Sequence, residues 1–271
     1  MKLGISFTFP HSSPEEWAEK HLAAGLSAVV FPCGYDAPAA KIDGYKKAAD
    51  AAGLLIAEVG TWSNPLSPNP ETAKKAREYG LHQLELAEYV GARCCVNISG
   101  AIGEVWDGGY PENYAPETKE KIVEYVRWLL DTVKPQKTAY ALEPMPNMLP
   151  DSPESYLELI ELVDRPGFAV HLDLVNLLAS PRIFCRNREL ADRCFTLLGN
   201  KIRSCHIKDA ALRNELTVSI REVECGKGGV DLRYYMDRAD AENPELPMII
   251  EHLSDEAAYR RAIAYIKALR A

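Results

Sequence analysis

Eight times along the chain a short apolar run is followed by a longer stretch with helical periodicity, and this alternation limits the fold more than any other feature. Residues 3–9 read as a first strand, after which Pro14-Glu15-Glu16 opens a helix with Ser13 placed as its N-cap. The next strand covers 27–32, and the helix over 41–53 stops at Gly53. A third strand at 54–60 leads into a long helix over 70–91 that starts with Pro70 and ends at Gly91. Strand four is 92–98, and the helix over 116–133 carries apolar residues at 122, 123, 126, 129, 130 and 133, one face of a helical turn. Then come strand 138–143 with helix 153–163, strand 168–173 with helix 188–198, strand 202–207 with helix 232–239, and strand 248–251 with helix 256–269.

Strict βα alternation implies parallel strands joined by right-handed crossovers, and eight units suggest closure into a (β/α)8 TIM barrel of class α/β. An open doubly wound sheet would carry a glycine fingerprint after its first strand, whereas Phe7-Thr8-Phe9-Pro10-His11 holds no glycine. The chain has 271 residues, 47% of them hydrophobic, enough for one barrel core, and no linker or composition shift divides it. One domain over residues 1–271 is therefore expected.

The net charge of −8 counts against a nucleic-acid surface, which needs clustered Lys and Arg to displace counterions. Seven cysteines, mostly within apolar segments and without a CxxC pair, indicate neither a disulfide framework nor a zinc ribbon. The first apolar run is short and broken by Pro10, with no signal-peptide core and no membrane-length apolar stretch elsewhere. A cytoplasmic protein that binds neither membrane nor nucleic acid is the expectation.

In a barrel the chemistry is built where strands end and βα loops begin. Strand five ends at Glu143, strand six at Asp173, strand seven carries His206 near its end, and strand eight ends at Glu251. Successive members lie one βα unit apart, so all four side chains arrive at one rim, on neighbouring strands about 5 Å apart. Each alone has a plain explanation: a solvated or ion-paired acid, or a hydrogen-bonded core histidine. Together, three carboxylates facing one another repel and raise each other's pKa unless a cation lies between them. Three carboxylates and an imidazole suit a divalent ion, Mn2+ first, then Mg2+ or Co2+, with Zn2+ less suited. Four protein ligands leave two octahedral positions open, which two adjacent sugar oxygens could fill.

The runs Leu142-Glu143-Pro144, His171-Leu172-Asp173, Cys205-His206-Ile207-Lys208-Asp209 and Ile250-Glu251 resemble the xylose-isomerase-like barrels. That superfamily includes sugar isomerases, ketose 3-epimerases, hydroxypyruvate isomerases, inosose dehydratases and endonuclease IV. The resemblance implies that Glu143, Asp173, His206 and Glu251 hold the metal and that Glu143 and Glu251 also move protons as the catalytic acid/base pair. It further implies a divalent-metal-dependent isomerase or epimerase of a small sugar or sugar-like ketone, working through a cis-enediolate. Loss of a β-hydroxyl from the same intermediate would make the enzyme an inosose or keto-sugar dehydratase. The partner implied is a small-molecule sugar, unphosphorylated for want of an Arg/Lys cluster. A homo-oligomer is left open, with no interface marked.

The pattern departs from the 3-epimerases at Asn176, where they carry His, and at Leu149, where they carry Glu, while Arg213 lies near but out of register with their substrate arginine. Further substrate-side candidates are His171, one layer deeper than Asp173 and either packed core or support for a ligand, and Lys208, which either binds a substrate oxygen or neutralises the rim. Trp62 and Trp106, on the loops after strands three and four, could stack on a sugar or pack a lid. Glu58 could contact substrate or serve as an ion-pair partner. The Cys225-Gly226-Lys227-Gly228-Gly229 loop lacks the strand-to-helix context and hydroxyl of a P-loop, so no nucleotide site is read there. A nuclease of the endonuclease IV type would need extra histidines where Thr61, Ser99 and Asn176 stand. A silent sugar-binding barrel would not need the two glutamates that are present.

Overall fold

A computed structural model describes residues 1–271. Eight parallel strands form the barrel wall, with β1 (Lys2–Ile5), β2 (Ala28–Val30), β3 (Leu55–Gly60), β4 (Cys94–Asn97), β5 (Tyr140–Leu142), β6 (Phe168–Asp173) and β7 (Ile202–Ile207). An antiparallel hairpin, β8 (Asp209–Arg213) and β9 (Ser219–Val223), precedes the eighth wall strand, β10 (Pro247–Ile250). The wall order is β1-β10-β7-β6-β5-β4-β3-β2. Between β1 and β2 the ladder thins to one bond, Ser27 N–H donating to Leu3 O at 2.9 Å, so the barrel is nearly closed. Strands buried on both faces read as continuous apolar runs, as parallel strands must; β4 and β6 are buried at every position.

The wall is wrapped by α1 (Pro14–Ala23), α2 (Ala39–Ala52), α3 (Pro70–Val90), α4 (Pro116–Val133), α5 (Pro153–Val163), α6 (Pro181–Cys185), α7 (Asn187–Leu198), α8 (Leu232–Glu242) and α9 (Glu256–Arg270). Local chemistry starts and stops them. Ser13, Asn69, Ser152 and Ser180 each cap a helix whose next residue is proline, where the missing N–H costs nothing. Gly53 and Gly91 end α2 and α3 in the left-handed conformation. None of the helices is long and apolar enough to cross a membrane.

Two expectations need correction, and one unassigned stretch gains structure. The strands are shorter than their apolar runs: β5 ends at Leu142 and β10 at Ile250, so Glu143 and Glu251 are the first residues beyond the wall. The stretch after strand seven, left unassigned above, holds the paired β8 and β9. A ninth helix, the single turn and a bit of α6, precedes α7. Alternation over five residues with few apolar positions does not stand out from loop sequence, and the hairpin's tertiary support decides it.

Candidate metal centre

Parallel register brings the four rim residues to one level. Asp173 on β6 pairs with His206 on β7, and Ile207 pairs with Ile250 just before Glu251. Beyond β5, Glu143 N–H still donates to Asn97 O at 2.7 Å, which extends the ladder far enough to aim its side chain inward. His206 Nδ1 then lies 2.9 Å from Glu251 Oε1, 3.4 Å from Glu143 Oε1 and 3.5 Å from Asp173 Oδ2. One donor atom from each of the four falls within 4.8 Å of all the others, and all four residues are buried.

Such a cluster is expensive without compensation. Lys208 Nζ supplies some, 2.7 Å from Asp173 Oδ2 and 3.3 Å from Glu251 Oε1. Burial, reinforced by Asp173 and Glu251, pushes the Glu143 carboxyl up to about 7 against the pull of His206. Burial would raise Glu251 as well, but His206 and Lys208 outweigh it and hold that carboxyl down at about 2. For Asp173 burial is likewise overcome, by Lys208 and His206, which hold it well below the carboxylate range. Burial opposes a charge on His206, yet Glu251, Glu143 and Glu58 push its pKa well above the histidine range.

A divalent cation fits these donors on a specific observation. Asp173 Oδ2, His206 Nδ1 and Glu251 Oε1 are all buried and face the common centre, and beyond close contacts with one another and with Lys208 none is in hydrogen-bond geometry with a partner. Carboxylates crowded in this way call for a cation between them. Hard carboxylate oxygens with one imidazole are the donor set of Mn2+, Mg2+ or Co2+ rather than of a thiophilic ion. The other oxygen of Asp173 is already used, accepting from the backbone N–H groups of Val175 and Asn176 at 2.9 and 3.1 Å, and this turn orients the carboxylate.

A family model described as xylose isomerase-like TIM barrel matches residues 19–269. The chain belongs to that family. A curated relative, 2-oxo-tetronate isomerase from Haemophilus influenzae, is 32% identical over 159 residues, which cover 55% of this chain and 59% of that relative. Among solved structures, D-psicose 3-epimerase with D-tagatose from Clostridium cellulolyticum H10 superposes with a TM-score of 0.74 at 15% identity, covering 100% of this chain and 98% of that one. A xylose isomerase-like TIM barrel protein from Mycobacterium smegmatis in complex with magnesium gives a TM-score of 0.69 at 16% identity, covering 95% and 89%. At these identities the two structures share the fold.

In this xylose isomerase-like barrel a cavity of about 530 Å3 is lined in part by Glu143, His206 and Glu251, three of the four rim residues. Trp62 and Trp106 both stand on its wall, 44% and 40% exposed, so their rings remain available to a ligand. Asn176 also lines it, donating to Glu143 Oε1 at 2.8 Å and accepting from Lys208 at 2.9 Å. Lys208 is tied into the carboxylates and buried behind the cavity rather than projecting into it. His171 is fully buried one layer below, and burial together with the charge on His206 lowers its pKa to about 4. Glu58 lies 3.6 Å from His206 Nε2 and 3.5 Å from Nδ1 of the neutral His171, and it also lines the cavity. Of the other family positions, Leu149 is buried and Arg213 exposed at the end of β8.

Asp107, Glu222 and His252 line the cavity without having been singled out in the sequence. Glu222, on β9, reaches Lys208 Nζ at 3.1 Å and His252 Nδ1 at 2.9 Å. His252 follows Glu251 with a positive φ of 57°, a turn that swings its ring back over the cavity. Adjacency to Glu251 was the one available signal for His252; Glu222 had none without the hairpin. The glycine-rich loop wraps a carboxylate of the protein itself: Gly226 and Gly228 N–H donate to Asp209 Oδ2 at 2.9 Å each, and Val230 N–H to Oδ1 at 3.2 Å. The backbone donors that would cradle a phosphate are thus already taken.

Proposed function

We propose that this protein is a divalent-metal-dependent isomerase or epimerase of a small sugar or sugar-like ketone. The observation that carries the reading is the convergence of Glu143, Asp173, His206 and Glu251 within 4.8 Å, three of them lining a cavity that two exposed tryptophans also line. The similarity to 2-oxo-tetronate isomerase supports it. Glu143, Asp173, His206 and Glu251 would hold the ion, Mn2+ by preference. Bound there, a divalent ion supplies Lewis-acid polarisation of a substrate carbonyl and so acidifies the neighbouring C–H.

The protein's own residues do the rest. Trp62 and Trp106 offer aromatic faces to the apolar C–H side of a sugar and limit water at the reacting carbon. Glu143 and Glu251 both line the cavity, so an ionised carboxylate can take the proton from the carbon beside the carbonyl, and the enediolate takes a proton back either from that same carboxyl or from the other one in its protonated form. Return to the neighbouring carbon gives isomerisation, and return from the opposite face gives epimerisation. Asn176 fixes Glu143 Oε1, and Lys208 balances the charge of Asp173 and Glu251. Five lining carboxylates, those of Glu58, Asp107, Glu143, Glu222 and Glu251, favour a neutral polyol over a phosphorylated one.

The test is proton exchange. Protein reloaded with Mn2+ is incubated in D2O with a panel of ketoses, and 1H NMR follows deuterium entering beside the carbonyl. Exchange that is lost in Glu251→Gln supports the reading. Enone absorbance with loss of water identifies a dehydratase instead, and binding without exchange identifies a silent barrel.

A further inference from the structure

Below the four donors lies a second buried polar layer that the proposed proton transfer does not use. Glu58 on β3, His171 on β6 and Ser204 on β7 are 2%, 0% and 0% exposed. The Ser204 hydroxyl donates to Glu58 Oε1, and His171 Nδ1 stands 3.5 Å from the same oxygen. The other oxygen, Oε2, is 3.6 Å from His206 Nε2. The rings of His171 and His206 meet edge to face, centroids 4.0 Å apart, so neither can turn freely. A carboxylate this deep in a barrel is costly unless donors surround it. The Ser204 hydroxyl is one such donor, and His171 Nδ1 and His206 Nε2 stand close by, all from β6 and β7 across the barrel from the strand of Glu58.

The two nitrogens of His206 therefore look in opposite directions. Nδ1 faces Glu251, Glu143 and Asp173, and Nε2 faces Glu58. An imidazole that ligates through one nitrogen carries its proton on the other, and the acceptor of that proton fixes both tautomer and ring orientation. We infer that Glu58 is a positioning residue: it accepts from His206 Nε2–H and so presents the Nδ1 lone pair to the cation, while the Ser204 hydroxyl holds Glu58 in place. The inference rests on the metal reading above. At 3.6 Å the contact is longer than a formed hydrogen bond; the proton that ligation leaves on Nε2 closes it.

Co2+ titration of the wild type, Glu58→Gln, Glu58→Asp and Ser204→Ala, followed by visible absorption, tests this. The wild type is expected to take one ion per chain. Glu58→Gln keeps its far-ultraviolet circular dichroism and binds Co2+ about 10- to 100-fold more weakly, with a shifted d–d band; Glu58→Asp recovers part of the loss. In 1H–15N spectra of the Zn2+-loaded protein, His206 shows a solvent-protected proton on Nε2 that moves upfield in Glu58→Gln. Should that variant not fold, Ser204→Ala retains the carboxylate, removes its hydroxyl donor, and is expected to weaken binding less. A folded Glu58→Gln with wild-type affinity and an unmoved Nε2 proton overturns the proposal. So do two ions per chain with one lost in Glu58→Gln, because Glu58 and His171 would then be ligands of a second site. No uptake by the wild type sinks the ion site itself, a failure read from the unmutated protein alone.

Discussion

Asn176 donates its side-chain amide to Glu143 Oε1 across 2.8 Å. The same side chain accepts from Lys208 Nζ at 2.9 Å, so one amide links the buried Glu143 carboxyl to the buried Lys208 ammonium. Replacing Asn176 with Leu keeps the volume and removes both bonds. The expected cost is about 1–3 kcal/mol, the price of two charged groups each short of a partner, read as a lower urea midpoint. Unchanged stability would mean that Glu143 and Lys208 find other partners.

Tyr156 performs a similar service beneath the site. Its buried hydroxyl accepts from Leu142 N–H at 3.0 Å and faces the carbonyls of Leu142 and Ala169 at 2.5 and 2.9 Å, tying β5 to β6 one residue before Glu143. Tyr156→Phe leaves those groups unmatched in a dry interior. A loss of about 1–3 kcal/mol is expected in chemical denaturation, with faster hydrogen exchange at the Leu142 amide.

Asp209→Ala removes the carboxylate around which the glycine-rich loop closes. With Gly226, Gly228 and Val230 amides released, on the order of 3 kcal/mol should be lost. Their exchange should accelerate more than that of the barrel strands. Equal acceleration everywhere would show global rather than local loosening.

His21 supplies a pH test away from the rim. It is packed between Phe9 and Trp17, with Nδ1 2.7 Å from Trp17 O, and burial lowers its pKa below the usual 6.5. The unfolded chain therefore binds a proton first. This contribution to stability is complete above pH 6.5 and declines as pH falls from there toward the folded pKa. His21→Phe should have a flatter melting temperature between pH 7 and pH 5 than the wild type; parallel curves would remove His21 as a cause.

Added Mn2+ should raise the melting temperature by mass action, corresponding to about 2.7 kcal/mol at a hundredfold excess over Kd, and a chelator should reverse it. His206→Ala should abolish the response. A shift that persists in that variant would place the ion elsewhere on the protein.

Much of this was legible along the chain because periodicity and strand ends are local properties. Apolar runs broken by capped helices specify alternating β and α units, and parallel closure follows from that order. Glu143, Asp173, His206 and Glu251 could be read as one group since each stands at or beside the end of a strand in the same repeat. Tertiary structure alone decided where the partners of that group stand. Glu222 enters the site on a hairpin whose pattern is too short to distinguish from loop, and Lys208 is drawn away from the cavity by Asp173 and Glu251. The environment of Glu58, set by Ser204 and His171 far away in sequence, depends on which strands face each other across the barrel. Side-chain type follows from position in a repeat; which charges meet across a closed barrel is settled only when the wall closes and water leaves its interior.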